Sequence, residues 1–232
     1  MRQKGFSLVE LSIVLTIIAL LAGGILAGRH LIRTTAVNSV TVSIDQYTNA
    51  ILTFHDRYFG FPGDMPDATD HWPGTVDGNG DYIITAFESG GEFEGYRAWQ
   101  QLALAGLIEG SYTGTTPSTF ACTWGTCGRG IAGENLPILK IDPRAVISIT
   151  SYYTNGSPNE MMIGMATNGL PEGYVLSPSE AWSIDTKIDD GAARQGVLWG
   201  HHWSATPNCY SGNAYQRDNE NIACVLKIYT LQ

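Results

Sequence analysis

Apolar side chains fall along this chain in three regimes. From Leu11 to Gly28 they run for 18 residues without a charge, just the length at which a helix can span the hydrocarbon of a bilayer. Beyond Arg33 they become spaced. Val37, Val40, Ile44, Tyr47, Ile51, Phe54 and Tyr58 recur at intervals alternating between three and four, which puts them on one stripe of a helix. Asn38, Ser39, Ser43, Asp45, Asn49 and Asp56 lie between them and form the solvent face. No proline occurs before Pro62, so nothing forces a break, and the two regimes predict one helix from Phe6 to Phe59, roughly 80 Å long. The stripe also suits a two-stranded coiled coil, but its aromatic second half favours packing on a sheet.

The third regime begins at Gly60-Phe61-Pro62-Gly63-Asp64, where glycine offers a left-handed cap and proline blocks continuation. Ala98 to Ile108 reads as a short helix with Leu102, Leu104 and Leu107 as its apolar residues. After Gly110 short β-rich runs alternate with turn residues: Ala145 to Thr150, Met161 to Met165, and a closing run from Ile222 to Tyr229. These predict strands of an antiparallel sheet. The expected fold class is α+β, a long N-terminal helix packed on an antiparallel β-sheet head, with the head (61–232) as one unit.

Charge sharpens the picture. The chain of 232 residues has a formal net charge of -9, which argues against general nucleic-acid binding. Arg2 and Lys4 precede the apolar run and Arg29 and Arg33 follow it, so the positive-inside rule alone does not orient it. Glu10 is the anomaly: a carboxylate at the edge of hydrocarbon is costly unless something offsets it. An ordinary secretory signal has a shorter apolar core, and a plain anchor leaves the acid unexplained.

Lys4-Gly5-Phe6-Ser7-Leu8-Val9-Glu10, followed by the apolar run, closely resembles the processing site of type IV pilins and type II secretion pseudopilins. The resemblance implies a leader (1–5) cut between Gly5 and Phe6 by a prepilin peptidase, N-methylation of Phe6, and a type IV pilin-like fold. It also implies a hydrophobic assembly segment (6–28) within the long helix (6–60). Glu10 would be an assembly determinant that meets the N-terminus of a neighbouring subunit. It lies four positions after Phe6, so helical geometry puts the two on one face, and the first turn favours a carboxylate. The resemblance further implies that part of the helix melts inside a filament. Gly23, Gly24 and Gly28 weaken it, each by about 1 kcal/mol relative to alanine, making Gly23 to Gly28 the expected stretch, although the family's usual proline is missing. FPGDMPDATDHW, DGNGD and AWQQLALAGLIEG follow a layout found in large pilin-like proteins, as does the segment around Ile184 to Gly191. There Ile184 and Ile188 would point inward, with Asp189, Asp190 and Gly191 shaping a turn.

Cys122, Cys127, Cys209 and Cys224 all lie beyond the apolar run, and four cysteines allow three pairings. Export of the kind the resemblance implies favours disulfides, and the expected pairs are Cys122–Cys127 and Cys209–Cys224. The second loop resembles the disulfide-bounded C-terminal region of many type IV pilins. Asp77, Asn79 and Asp81 place oxygen ligands at alternate positions, Ile83 offers a carbonyl, and Glu88 falls where an EF-hand loop carries its bidentate glutamate. Tyr82 replaces the glycine of the sharp turn, so only the ligand spacing is present. Calcium and a plain polar turn both account for it. No other cofactor is required.

No nucleophile elbow, P-loop, zinc-binding HExxH or dinucleotide fingerprint occurs, and His201-His202-Trp203 reads as surface or interface histidines. The expectation is not an enzyme but a structural subunit of a type IV pilus or pilus-like filament. Alternatives are a pseudopilin of type II secretion and a minor or tip pilin acting in adhesion or DNA uptake. Expected partners are copies of itself or other pilins, the prepilin peptidase and an inner-membrane assembly platform. The chain would span the inner membrane once, head in the periplasm, before moving to a cell-surface pilus.

Overall fold

The computed structural model describes residues 7–85, 93–116, 130–151, 159–167, 171–202 and 208–231. Its spine is α1, Leu8–Tyr58, a single helix of 51 residues that runs unbroken through Gly23, Gly24 and Gly28. The stripe read from the spacing is the buried face. Val37, Val40, Ile44, Ile51 and Phe54 are buried, and Tyr47 and Tyr58 pack against the same core. Burying such side chains stabilises by roughly 1.5–3 kcal/mol each, which fixes the second half of α1 to the head. Phe59 rather than Gly60 takes the left-handed cap, with φ 58° and its N–H donating to the His55 carbonyl.

Among the described residues, three shorter helices follow. α2 (Ala68–His71) is a single turn, α3 spans Glu94–Leu104 and α4 spans Pro178–Ile188. α3 starts and ends four residues earlier than its leucines suggest. Its first turn buries Glu94 and Arg97, polar residues that hide the apolar pattern, and Gly106 (φ 71°) turns the chain before Leu107. Leu102 is core, while Leu104 is half exposed. The segment from Ile184 onward is the end of α4, with Ile184 buried and Ile188 packed on the core.

The strands are β1 (Ala145–Thr150), β2 (Asn159–Met165), β3 (Leu198–His201), β4 (Tyr210–Ser211), β5 (Ala214–Tyr215) and β6 (Val225–Leu231). Four of them form an antiparallel sheet in the order β1-β2-β6-β3, with Ile147 opposite Ile163, Ile163 opposite Leu226, and Leu198 opposite Ile228. β4 and β5 make a separate hairpin. β1 is buried along its whole length, so both faces of the sheet are covered there. α1 packs against α3, α4 and β6. Fully buried Trp99 of α3 presents its ring 5.0 Å from Tyr47 of α1, edge to face. The result is an α+β arrangement of the pilin kind: half of one helix embedded in a head, the other half projecting from it.

Candidate assembly site

The projecting half begins with a reciprocal cap. The Val9 N–H donates to Ser7 Oγ at 3.2 Å, and the Ser7 N–H donates to Glu10 Oε2 at 2.9 Å. This capping box satisfies two of the orphan donors that open a helix, and a carboxylate there complements the helix dipole. Glu10 is thus held at the tip of α1, pointing back toward the residue before Leu8. Gly5 and Phe6 lie outside the described residues. From Leu8 to Leu26 the large apolar side chains are exposed, and Glu10 is the lone charge between Leu8 and Gly28. By length and composition this half can cross a membrane, and no part of its apolar window is buried.

Where α1 meets the head, Arg33 locks the two together. Its Nε and Nη2 donate to the Glu180 carboxylate at 2.6 and 2.8 Å, Nη1 donates to the Ile141 carbonyl, and Nη2 also reaches the Val175 carbonyl. The fork engages both carboxylate oxygens, the geometry in which arginine is strongest. The bond to Glu180 holds the guanidinium pKa above its ordinary value despite partial burial. Burial pushes the Glu180 carboxyl up, but Arg33 and the Ser177 N–H outweigh it, so the net shift is down. Glu180 also closes the capping box of α4, with Pro178 in its first turn. One side chain therefore caps α4 and ties it to α1. Ser177-Pro-Ser-Glu180 carried that signal in the sequence.

The loop with calcium-like spacing is built around a different group. Asp64, buried, accepts the N–H groups of Gly80 and Asp81 at Oδ1 and of Tyr82 at Oδ2. Burial raises its pKa against the lowering effect of these bonds. A Cβ on Gly78 would sit 2.2 Å from the Asp64 carbonyl carbon, so the glycine permits this close approach. Asp77 turns away, accepting from Thr69 N at Oδ1 and Thr69 Oγ1 at Oδ2, and caps α2 from outside. Its carbonyl takes a bond from Arg97, a cation where a metal ion would need anions. Asn79 and Asp81 do adjoin, Nδ2 to Oδ2 at 3.2 Å, and Asp81 Oδ1 accepts the Ile83 N–H. Glu88 lies outside the described residues. Among the described residues of this set, Asp77 is bonded to Thr69, while Asn79, Asp81 and Ile83 are joined to one another through Asp81.

Among the described residues, one group of three carboxylates is close enough to share an ion: Asp185, Asp189 and Asp190. Each is already occupied. Asp185, buried, accepts Tyr215 Oη at 2.8 Å and the Gly191 N–H. Asp189 accepts the N–H groups of Val197 and Leu198, and Asp190 accepts that of Ala192. Burial pushes the Asp185 carboxyl up to about 6, and Asp190 and Asp189 add to the rise. The cluster thus shapes the turn after α4, as the sequence suggested for Asp189, Asp190 and Gly191.

Cys209 and Cys224 form a disulfide, with Cα atoms 5.0 Å apart; Cys122 and Cys127 lie outside the described residues. His201 sits on β3 and His202 just beyond it. Burial, with Lys227 and Arg194 nearby, lowers the His201 pKa to about 4. His202 Nδ1 accepts the Cys209 N–H, and its ring stacks 4.4 Å from Tyr210. His202 thus packs beside the disulfide; Trp203 lies outside the described residues.

An oily projecting helix with a capped acid near its start, carried on an α+β head, fits anchoring in a membrane. Residues 1–26 match the prokaryotic N-terminal methylation motif, the prepilin signature of type IV pilins and pseudopilins. No curated protein and no solved structure matched the chain. The motif implies processing by a prepilin peptidase and assembly with other pilins, and the apolar helix fits anchoring in a membrane beforehand.

Proposed function

We propose that this chain is a structural subunit of a type IV pilus or pilus-like filament, built from its projecting helices after the leader is cut between Gly5 and Phe6. The observation that carries this is the exposed apolar first half of α1, whose one charge between Leu8 and Gly28 is Glu10. Copies packed side by side would remove that surface from lipid or water. Before cleavage, the Glu10 carboxylate is satisfied locally by the Ser7 N–H. Cleavage creates an α-amino group on Phe6, one residue before Ser7, which N-methylation leaves cationic. In a low-dielectric bundle the attraction between this cation and a neighbour's Glu10 is strong, and a misaligned subunit leaves both charges unpaired. Glu10 would thereby select the alignment. The head waits in the periplasm and moves to the cell surface with the fibre.

Two substitutions separate charge from capping. Glu10→Gln keeps an acceptor for the Ser7 N–H but removes the charge; Glu10→Ala removes both. Leader removal, read by mass spectrometry, should be normal in each, and sheared fibre yield should fall at least tenfold in each. Wild-type fibre yield from Glu10→Gln would reduce Glu10 to a helix cap. Absence of sheared fibres from the wild type would favour a pseudopilin.

A further inference from the structure

Where the projecting helix enters the head, α1 and α4 lie side by side and two cross-links join them. Arg33 grips Glu180 near the start of α4, and Lys187 near its end donates to Asn38 Oδ1 at 2.6 Å. Between the cross-links lies a cavity of about 380 Å³, within the range of small-molecule sites, about 300–1,000 Å³. His30 and Thr34 of α1 and the hydroxyl-bearing Ser179 and Ser183 of α4 line it, with buried Val37 among them. Arg33 and Lys187 outnumber Glu180 by one charge, and the Glu180 carboxylate is already spent on Arg33 and the Ser177 N–H. Asn38 is neutral, so its bond to the Lys187 ammonium leaves that charge uncancelled.

The depth of this cavity decides what can reach it. Leu8 to Gly28 rises roughly 31 Å as a helix, which matches bilayer hydrocarbon at about 30 Å. Headgroups add about 5–8 Å on each side. His30, Arg33 and Thr34 follow Gly28 by two, five and six residues, roughly 3–9 Å at the same rise. They therefore stand in the phosphate layer when α1 spans. Asn38, and with it Lys187, stands roughly 15 Å beyond Gly28, above the phosphates. A lipid headgroup entering from the bilayer meets His30 and Arg33 first and Lys187 last.

We propose that the cavity seats the headgroup of an anionic glycerophospholipid, its phosphate beside His30 and Arg33 and its hydroxylated end reaching toward Ser183 and Lys187. Charged donors make strong bonds to phosphate oxygens, and serine hydroxyls donate to or accept from a polyol. Lys187 selects among lipids: a headgroup that ends in an ammonium brings like charge against it, whereas glycerol brings none. A lipid held in this way fixes the height of the head above the bilayer and its turn about α1. Such seating requires α1 in a membrane and is indifferent to polymerisation.

The test reconstitutes the full chain in nanodiscs of equal parts phosphatidylglycerol and phosphatidylethanolamine, releases it into mild detergent, and counts retained lipids by native mass spectrometry. Phosphatidylglycerol should be retained at least fivefold over phosphatidylethanolamine. Lys187→Gln should abolish that preference, and Ser183→Leu, which fills the cavity without changing its charge, should lower phosphatidylglycerol retention at least fivefold. Lys140→Gln removes an exposed cation from a different groove of α1, beside Leu31 and Ile32, and should change nothing. Equal retention of the two lipids by the wild type would overturn the proposal. So would undiminished retention in both cavity variants, or an equal loss in Lys140→Gln. A rise in melting temperature with millimolar inorganic phosphate in lipid-free detergent, matching that with phosphatidylglycerol, would make free phosphate the ligand and overturn the lipid assignment. No readout involves fibres, so the lipid site and the filament reading fail separately.

Discussion

Asp77 and Asp64 show how a spacing can be legible while its purpose is not. Oxygen-bearing residues at alternate positions suit a bound cation, and the sequence around DGNGD has that pattern. The carboxylate that organises the loop, however, is Asp64, whose partners lie 16 to 18 positions further on. No local motif announces such a bond. Asp77→Ala should therefore lower the melting temperature equally with and without millimolar calcium, by loosening α2 from the loop. A loss confined to calcium-containing buffer would make an ion the organiser. Asp185 supports a second test at this scale. Its folded pKa of about 6 lies above the ordinary carboxyl value, so the folded state binds the extra proton first. Its contribution to stability rises as pH falls from above 6 toward 4 and is lost as pH climbs back through 6. His201, lowered to about 4, acts oppositely: the unfolded chain takes its proton first, and stability falls over the same range. Asp185→Asn should remove the first effect and leave the second, so stability measured from pH 7 to pH 4 should decline more steeply than in the wild type.

Elements were legible where a period was long and uninterrupted. The stripe from Val37 to Tyr58 repeats over enough turns that its buried face could be read off directly. Ends were harder, because a cap is set by one backbone conformation, and Phe59 adopts what Gly60 was expected to supply. α3 was displaced by its own buried polar turn. α4 went unread as a helix, since its short apolar pattern merges into the acidic turn after it, although its capping box stood in the sequence. That box has a consequence for the junction of α1 and the head. Arg33→Ala strands Glu180 with its Ser177 bond alone and frees two backbone carbonyls. The arginine side chain is 35% exposed, so solvent screening reduces the loss to about 1–2 kcal/mol. Chemical denaturation of the detergent-solubilised protein reads it directly. Lowering the pH below the depressed Glu180 pKa should shrink the difference between the two proteins, because the wild type then loses the same contact.

At the scale of the molecule, the division into an oily projecting helix and a sheet-bearing head was visible in the change from unbroken to periodic to β-rich patterns. Strand order was not, because β6 inserts between β2 and β3 from the far end of the sequence, and pairing over such distances leaves no local trace. The Cys209–Cys224 pair closes the approach to that central strand. Replacing both cysteines with serine should cost roughly 3 kcal/mol for a loop of this length, seen as a lower melting temperature. Reduction of the wild type should reproduce that fall.

The unbroken α1 has one more consequence, which concerns tension. A pull directed along its axis travels through hydrogen bonds in series, whereas the head hangs on its side through residues of the second half. Load in a fibre would bypass the β-sheet and fall on the backbone of the first half. Gly23 to Gly28 has open space around each of its glycines and no head packing to brace it, so it should yield first. Drawing six residues from helical to extended rise adds about 11 Å. Each subunit would then contain a spring that lengthens under strain while its folded surface stays intact.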